Sequence, residues 1–287
     1  MIRKPTIAIV GAGSLATSLV LALHEVGFKI TEIIARDSPG SRQRARSLAA
    51  KVGAKVATAN SAALGAALLW FCVPDREIRG AASALARASA HRRNRFRLAV
   101  HSSGALLSRE LNPLRQAGVA VASVHPLMTF VAGANPSLIG VPFAIEGDEA
   151  AKRVARGIVR ELGGQSFSLP PARKAAYHAW ATMTSPLLLA FLVTLEETAR
   201  AAGLAREDAR RKSLPIIMET LANYSRLGPA KSFSGPLIRG DAETIAKHLA
   251  VLKKYPGARE VYLALAQAAL RGLPTKNRRE LKKLLLN

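Results

Sequence analysis

A single cysteine, Cys72, occurs in the 287 residues. It excludes an internal disulfide framework, and no CxxC or HxxxH spacing offers a metal site, so no metal is expected. Aromatic residues make up 5% of the chain and acidic side chains are scarce, 19 against 42 Lys and Arg, leaving a net charge of +23. No apolar run reaches the roughly 20 residues that a bilayer crossing needs. The longest, SPLLLAFLVTL at 185–195, reads as a buried core or dimer helix. The opening MIRKPTIAIV passes from charge straight into a strand-like run without the apolar stretch and cleavage-like site of a secretory signal. These absences point to a soluble protein of a reducing cytoplasm, with no membrane partner.

The basic excess invites a nucleic-acid reading, because a cationic surface gains affinity by releasing counterions from phosphates. Its distribution argues otherwise. Residues 1–165 carry 22 basic and 10 acidic side chains, and residues 166–287 carry 20 and 9. Only HRRNRFR (91–97) and NRRELKK (277–283) form clusters, and no helix-turn-helix, zinc finger or interleaved aromatic surface accompanies them. No specific nucleic-acid partner is expected; solvated basic faces with a weak pull on anionic ligands remain.

With 49% hydrophobic residues the chain can bury a sizeable core, and its length suits two domains or one large one. Strand-like runs recur at TIAIV (6–10), ITEIIA (30–35), ALLWFCV (67–73), FRLAV (96–100), VAVASV (119–124) and VPFAIE (141–146), with helical periodicity between most of them. Such alternation predicts a mostly parallel sheet covered on both faces. After QSFSLPPARK only helical periodicity is found. The domains are therefore placed at 1–168, α/β and doubly wound, and 169–287, all-helical.

The first strand runs into GAGSLA. Gly11 allows a tight turn, Gly13 lets the backbone approach a pyrophosphate, and Ala16 lets the following helix pack on the strand; Ser14 and Leu15 supply first-turn N–H groups. At the end of the second strand the sequence IIARDSPGSRQRAR places Arg36, Ser38 and Arg42 where an adenosine 2′-phosphate would need cations and hydroxyls. Asp37 is the residue that dissents. NADP(H) is thus the expected cofactor. Val73 and Pro74 end the strand FCVPDREI, whose carboxyl end would face the dinucleotide. Ser102 and Ser103, in VHSSGALLS, either cap the next segment or contact nicotinamide and substrate respectively.

The stretches IVGAGSLATSL, VHSSGAL, SVHPLMTF, AAYHAWATM and SGPLIRGDAETIAKHL resemble a group of bacterial NADP-dependent oxidoreductases. Their architecture is a Rossmann domain followed by an all-helical domain of the 6-phosphogluconate dehydrogenase C-terminal type; pyrroline-5-carboxylate and ketopantoate reductases are more distant relatives. The resemblance implies a reductase-like architecture, NADP(H) and, together with the apolar helix at 187–195, a homodimer formed through the helical domain. It does not name the substrate. One departure stands out: the family pattern has an asparagine in the helix after Tyr177-His178, where this chain has Pro186.

Hydride transfer needs a C=O or C=N carbon held against the nicotinamide and a proton donor for the heteroatom. His125 ends a strand, where Pro126 is expected to turn the chain away and leave the imidazole at the cofactor crevice. Lys174, His178, Thr182 and Ser185 fall on one face of an otherwise apolar helix, with Tyr177 expected to project elsewhere. Lys174 and His178 join His125 as catalytic candidates. Thr182, Ser185 and Arg239 join Ser103 as substrate contacts, while Asp241 is read as an N-cap. The expected function is NADPH-dependent reduction of a small keto or imino acid; the alternatives are a non-catalytic NADP(H)-binding regulator and a nucleic-acid binder.

Overall fold

A computed structural model describes residues 4–90 and 96–286; the first five residues of the basic cluster at 91–97 lie outside it. The chain forms two compact units, residues 1–182 and 183–287.

The first unit is built on one eight-stranded sheet with strands β1 (Ile7–Val10), β2 (Ile30–Ile34), β3 (Lys55–Ala57), β4 (Leu68–Phe71), β5 (Leu98–His101), β6 (Ala120–Pro126), β7 (Pro142–Gly147) and β8 (Gln165–Ser168). They lie in the order β3-β2-β1-β4-β5-β6-β7-β8. The first six pair in parallel, β7 runs antiparallel to β6, and β8 is parallel to β7. Strand order reverses between β1 and β4, which opens a crevice at their carboxyl ends. Helices α1 (Ser14–Glu25), α2 (Pro39–Val52), α3 (Asp75–Ser89), the short α4 (Asn112–Arg115) and α5 (Glu149–Glu161) connect the strands, and α6 (Lys174–Thr184) follows β8.

The central strands are apolar at every position because both faces are covered. In β1, Ile7 and Ile9 enter the core under α1, α2 and α5, whereas Ala8 and Val10 enter the core under α3 and α4. In β4, Leu68 and Trp70 take the first side, and Leu69 and Phe71 the second. The period of two thus distributes one run between two cores.

The strand carrying His125 does not stop where expected. The ladder continues through Pro126, which sits opposite Phe143 of β7. The N–H of Leu127 donates to Pro142 O at 2.8 Å, so by alternation the N–H missing from Pro126 would face the other flank. On that flank β5 has already ended at His101, paired with Ser123. The proline therefore costs the sheet no hydrogen bond.

The second unit has no strand among its described residues. It comprises α7 (Pro186–Arg200), α8 (Arg206–Ser232), α9 (Pro236–Arg239), α10 (Ala242–Leu252), α11 (Pro256–Gly272) and α12 (Arg278–Leu286), an all-helical bundle around Ile245, Leu249, Ala266, Leu270, Leu281 and Leu285. Asp241 caps α10, its carboxylate accepting from Thr244 N at 3.0 Å. Helix α6 ends at Thr184 and Ser185 becomes the N-cap of α7, with Pro186 at the first position. The single polar face read from Lys174 to Ser185 is therefore interrupted: Pro186 suits a helix start rather than an interior.

Candidate functional site

At the turn after β1, Gly11 has φ +110° and its N–H donates to Ile34 O at 2.8 Å. A Cβ there would strike Cys72 O at 2.6 Å, so only glycine fits. Gly13 differs: a Cβ would meet no protein atom within 4 Å, so packing does not explain the bare position. It is the N-cap of α1 and has no side chain to satisfy the first-turn N–H groups, which include those following Ser14 and Leu15. Ala16 is fully buried against the sheet. A bare backbone and an uncapped helix N-terminus suit an anionic ligand.

A cavity of about 730 Å³ opens from this turn; its lining includes Gly11, Gly13, Arg36, Arg44, Val73 and Pro74. That volume lies in the range of cofactor sites. Arg36 spans it, donating to Glu77 Oε1 at 2.9 Å with 61% of its side chain exposed. Such exposed pairs contribute little, roughly 0–1 kcal/mol, so the guanidinium is free to turn to a stronger anion. Asp37 pairs with Arg42, which neutralises the dissenting carboxylate. Ser38 is the N-cap of α2, its hydroxyl making no capping hydrogen bond. The donor set of arginines and the open glycine turn fit a phosphorylated dinucleotide, which supplies a transferable hydride when bound.

Three strands from β1 along the same carboxyl edge, roughly 14 Å at ordinary strand spacing, a second group of side chains converges at β6. Helix α6 presents Lys174, Tyr177 and His178 at i, i+3 and i+4 on one face. The Tyr177 hydroxyl and His125 Nδ1 are 2.7 Å apart. The rings of His125 and His178 meet edge to face at 6.3 Å. Gly104 separates them: a Cβ there would be 2.7 Å from both His125 Nε2 and His178 Cδ2. Tyr177 thus projects into this group and not elsewhere, as its spacing of three residues from Lys174 allows.

Lys174 is buried, 2% exposed. Its ammonium donates to Ser123 Oγ and to Glu146 Oε1, the latter at 3.3 Å. Glu146 also accepts from Ser108 N at 2.6 Å and Ser108 Oγ at 2.9 Å, and Ser123 Oγ donates to Ser103 O at 3.1 Å. Burial pushes the Lys174 ammonium below the ordinary lysine range, opposed by Glu146. Glu146 and Ser123, absent from the sequence reading, thus tie the first turn of α6 to β6 and β7.

His101 is wholly buried beneath this group. Its Nδ1 accepts from Ser103 N at 3.1 Å, so Nε2 carries the proton and donates to Leu107 O at 3.0 Å. Burial lowers it to about 4. His125 is likewise pushed down to about 4, mainly by burial and then by His178, Lys174 and His101. Ser102 Oγ accepts from the Trp70 indole at 2.8 Å, and Ser103 Oγ caps its own turn by accepting from Ala105 N and Leu106 N at 3.2 and 2.9 Å. Thr182 Oγ1 donates back to His178 O at 2.8 Å. Ser185 and Arg239 belong to the second unit, the former half-buried and the latter exposed.

Compared with known proteins, residues 2–126 match the family described as Rossmann-like domain, and residues 141–269 match the domain of unknown function DUF2520. No curated protein matches the chain by sequence. Among solved structures, a Bacteroides fragilis protein proposed to be an NADP oxidoreductase is 24% identical, with TM-score 0.75 over 92% of this chain and 97% of its own. Protein TM1727 from Thermotoga maritima is 25% identical, with TM-score 0.71 over 92% and 96%. An imine reductase from Myxococcus stipitatus in complex with NADP+ is 16% identical, with TM-score 0.65 over 93% and 94%. The likeness spans both units and establishes the fold: a Rossmann domain followed by an all-helical domain.

Proposed function

We propose that this chain, whose fold is that of the NADP(H)-dependent oxidoreductases and imine reductases compared above, is an NADPH-dependent reductase of the C=O or C=N bond of a small keto or imino acid. The observation that carries this reading is the placement, on one carboxyl edge of one sheet, of an uncapped glycine turn beside cavity-lining arginines, Arg36 and Arg44 among them, and of an imidazole kept neutral by burial. Gly11, Gly13 and the first turn of α1 would hold the pyrophosphate, while Arg36, with Arg44, Ser38 and Arg42 near it, would hold the 2′-phosphate. Bound there, NADPH would supply a hydride to the substrate carbon, with water as the source of the proton for the heteroatom. His125 and His178, with Gly104 between them, line the place where the heteroatom would be held.

Lys174 serves in this reading as an anchor rather than a proton donor, because its ammonium already holds Ser123 and Glu146. Thr182, Ser185 and Arg239 are assigned to substrate binding, Arg239 as a cation for the carboxylate. A homodimer through the helical unit is part of the proposal. Helix α8 has one buried residue, Ala209, yet exposes Leu214, Met218 and Leu221, at i, i+4 and i+7, by 49–57%, an apolar face of the kind that partners cover. The stretch Pro171–Arg200 is long and apolar enough to cross a membrane by length and composition. Its beginning is instead tied into the sheet by Lys174 and Tyr177, so a cytoplasmic, membrane-free protein is the reading taken.

Titration calorimetry and steady-state NADPH oxidation with a panel of 2-keto acids and cyclic imines test the proposal. NADPH should bind at least about tenfold tighter than NADH, the worth of a charge-assisted phosphate contact, and Gly13→Asp should abolish binding. Binding with no turnover on any substrate would favour a non-catalytic regulator; no binding of either coenzyme would sink both.

A further inference from the structure

We propose that Tyr177 is a positioning residue: its hydroxyl donates to Nδ1 of His125 and so keeps the ring proton on Nε2, the nitrogen that faces the gap left by Gly104. The use of that N–H rests on the reductase reading above; the tautomer itself does not.

The direction of the hydrogen bond follows from what each partner could do otherwise. Tyr177 is 7% exposed, and no acceptor other than His125 Nδ1, 2.7 Å away, stands near its hydroxyl among the described residues. Were the proton on Nδ1, the phenol oxygen would accept and its own hydrogen would be buried without a partner, a costly arrangement. Phenol is also the stronger acid and the poorer acceptor of the two. Burial keeps both neutral, pushing the phenol up to about 12 and the imidazole down to about 4, so an O–H···N pair holds across the neutral range.

The other nitrogen is the one left for work. Nε2 of His125 has no hydrogen-bond partner among the described residues and lies 2.7 Å from where a Cβ on Gly104 would be. A neutral imidazole presenting N–H can donate to a substrate oxygen or nitrogen on which negative charge grows, without losing its own proton. Tyr177 is held for this task from two sides. Its ring packs at 6.0 Å from Phe167 and 5.9 Å from Trp180, and one turn earlier Lys174 is fastened to Ser123 and Glu146.

Long-range proton–nitrogen spectra of the 15N-labelled full chain, near neutral pH, read the tautomer directly, with His125 assigned by the signal lost in His125→Gln. Wild type should show Nε2 as the protonated, pyrrole-type nitrogen and Nδ1 as the pyridine-type one. Tyr177→Phe keeps the ring packing and removes only the hydroxyl, so both shifts should move toward a tautomeric average. With a substrate in hand, the same variant should lose roughly tenfold in kcat, the size of one hydrogen bond, at unchanged KM for NADPH. Wild-type His125 protonated on Nδ1, or unchanged shifts in Tyr177→Phe, would overturn the proposal; should the variant not fold, the wild-type spectrum decides alone. Absence of turnover by wild type would remove the reductase reading and leave the tautomer to the spectra.

Discussion

Removing the ammonium of Lys174 while leaving Glu146 should destabilise the first unit severely, and removing both charges should not. Lys174 is 2% and Glu146 5% exposed, so water screens neither. Stripping one member from a buried ion pair costs about 3–5 kcal/mol, because the survivor stays charged in a poorly solvating site. Lys174→Met and Glu146→Gln should each fall in that range. In the double variant no charge is left unpaired; glutamine retains one oxygen for Ser108 N, and the remaining cost is about 1–3 kcal/mol from imperfect hydrogen bonding. The coupling is then at least about 3 kcal/mol, far beyond the additivity expected of independent sites. Urea titration followed by tryptophan fluorescence is a suitable assay, since Trp70 is fully buried in β4 and bonded to Ser102, just beyond the end of β5. For a slope of about 2 kcal/mol/M, each single variant should lower the midpoint by roughly 2 M. Additive costs would refute the reasoning. A loss below about 1 kcal/mol in Lys174→Met would mean that the ammonium is hydrated, and would return this lysine to the list of proton donors.

Acid should weaken the first unit through His101. Its folded value of about 4 lies below the ordinary 6.5, so its contribution is complete above pH 6.5 and is lost as the unfolded chain takes up the proton between pH 6.5 and 4, by roughly 3 kcal/mol; His125, also pushed down to about 4, adds a like loss, so His101→Gln should roughly halve the slope of that part of the stability profile measured by urea titration, and an unchanged slope would show that the ring is not held neutral. The apolar face of α8 should be covered in solution: light scattering should give twice the 30.5 kDa chain mass for wild type and a single chain for Met218→Asp with Leu221→Asp, whereas a monomeric wild type would exclude the dimer.

What the sequence made legible were the features fixed by local pattern. Strands buried on both faces read as unbroken apolar runs, and the glycine turn stood between a strand and a helix, so a mostly parallel sheet covered on both faces was legible. Strand β3 escaped notice because it is three residues long and exposes Lys55 and Val56 at the sheet edge. Pro126 was misread for a different reason. Whether a proline ends a ladder depends on which flank its missing N–H would face, and here that is settled by where β5 stops, a fact held by another strand. The same holds for Lys174. Its place on a polar helical face was visible, but its partners, Ser123 and Glu146, lie 51 and 28 residues away, and only the strand pairing brings them under α6. A lysine with no visible partner looks like chemistry; one that meets a buried carboxylate looks like an anchor. The partners of Lys174 were therefore hidden because their meaning lies in the register between β6 and β7, where Ser123 stands opposite Glu146, and no periodicity in α6 carries that information.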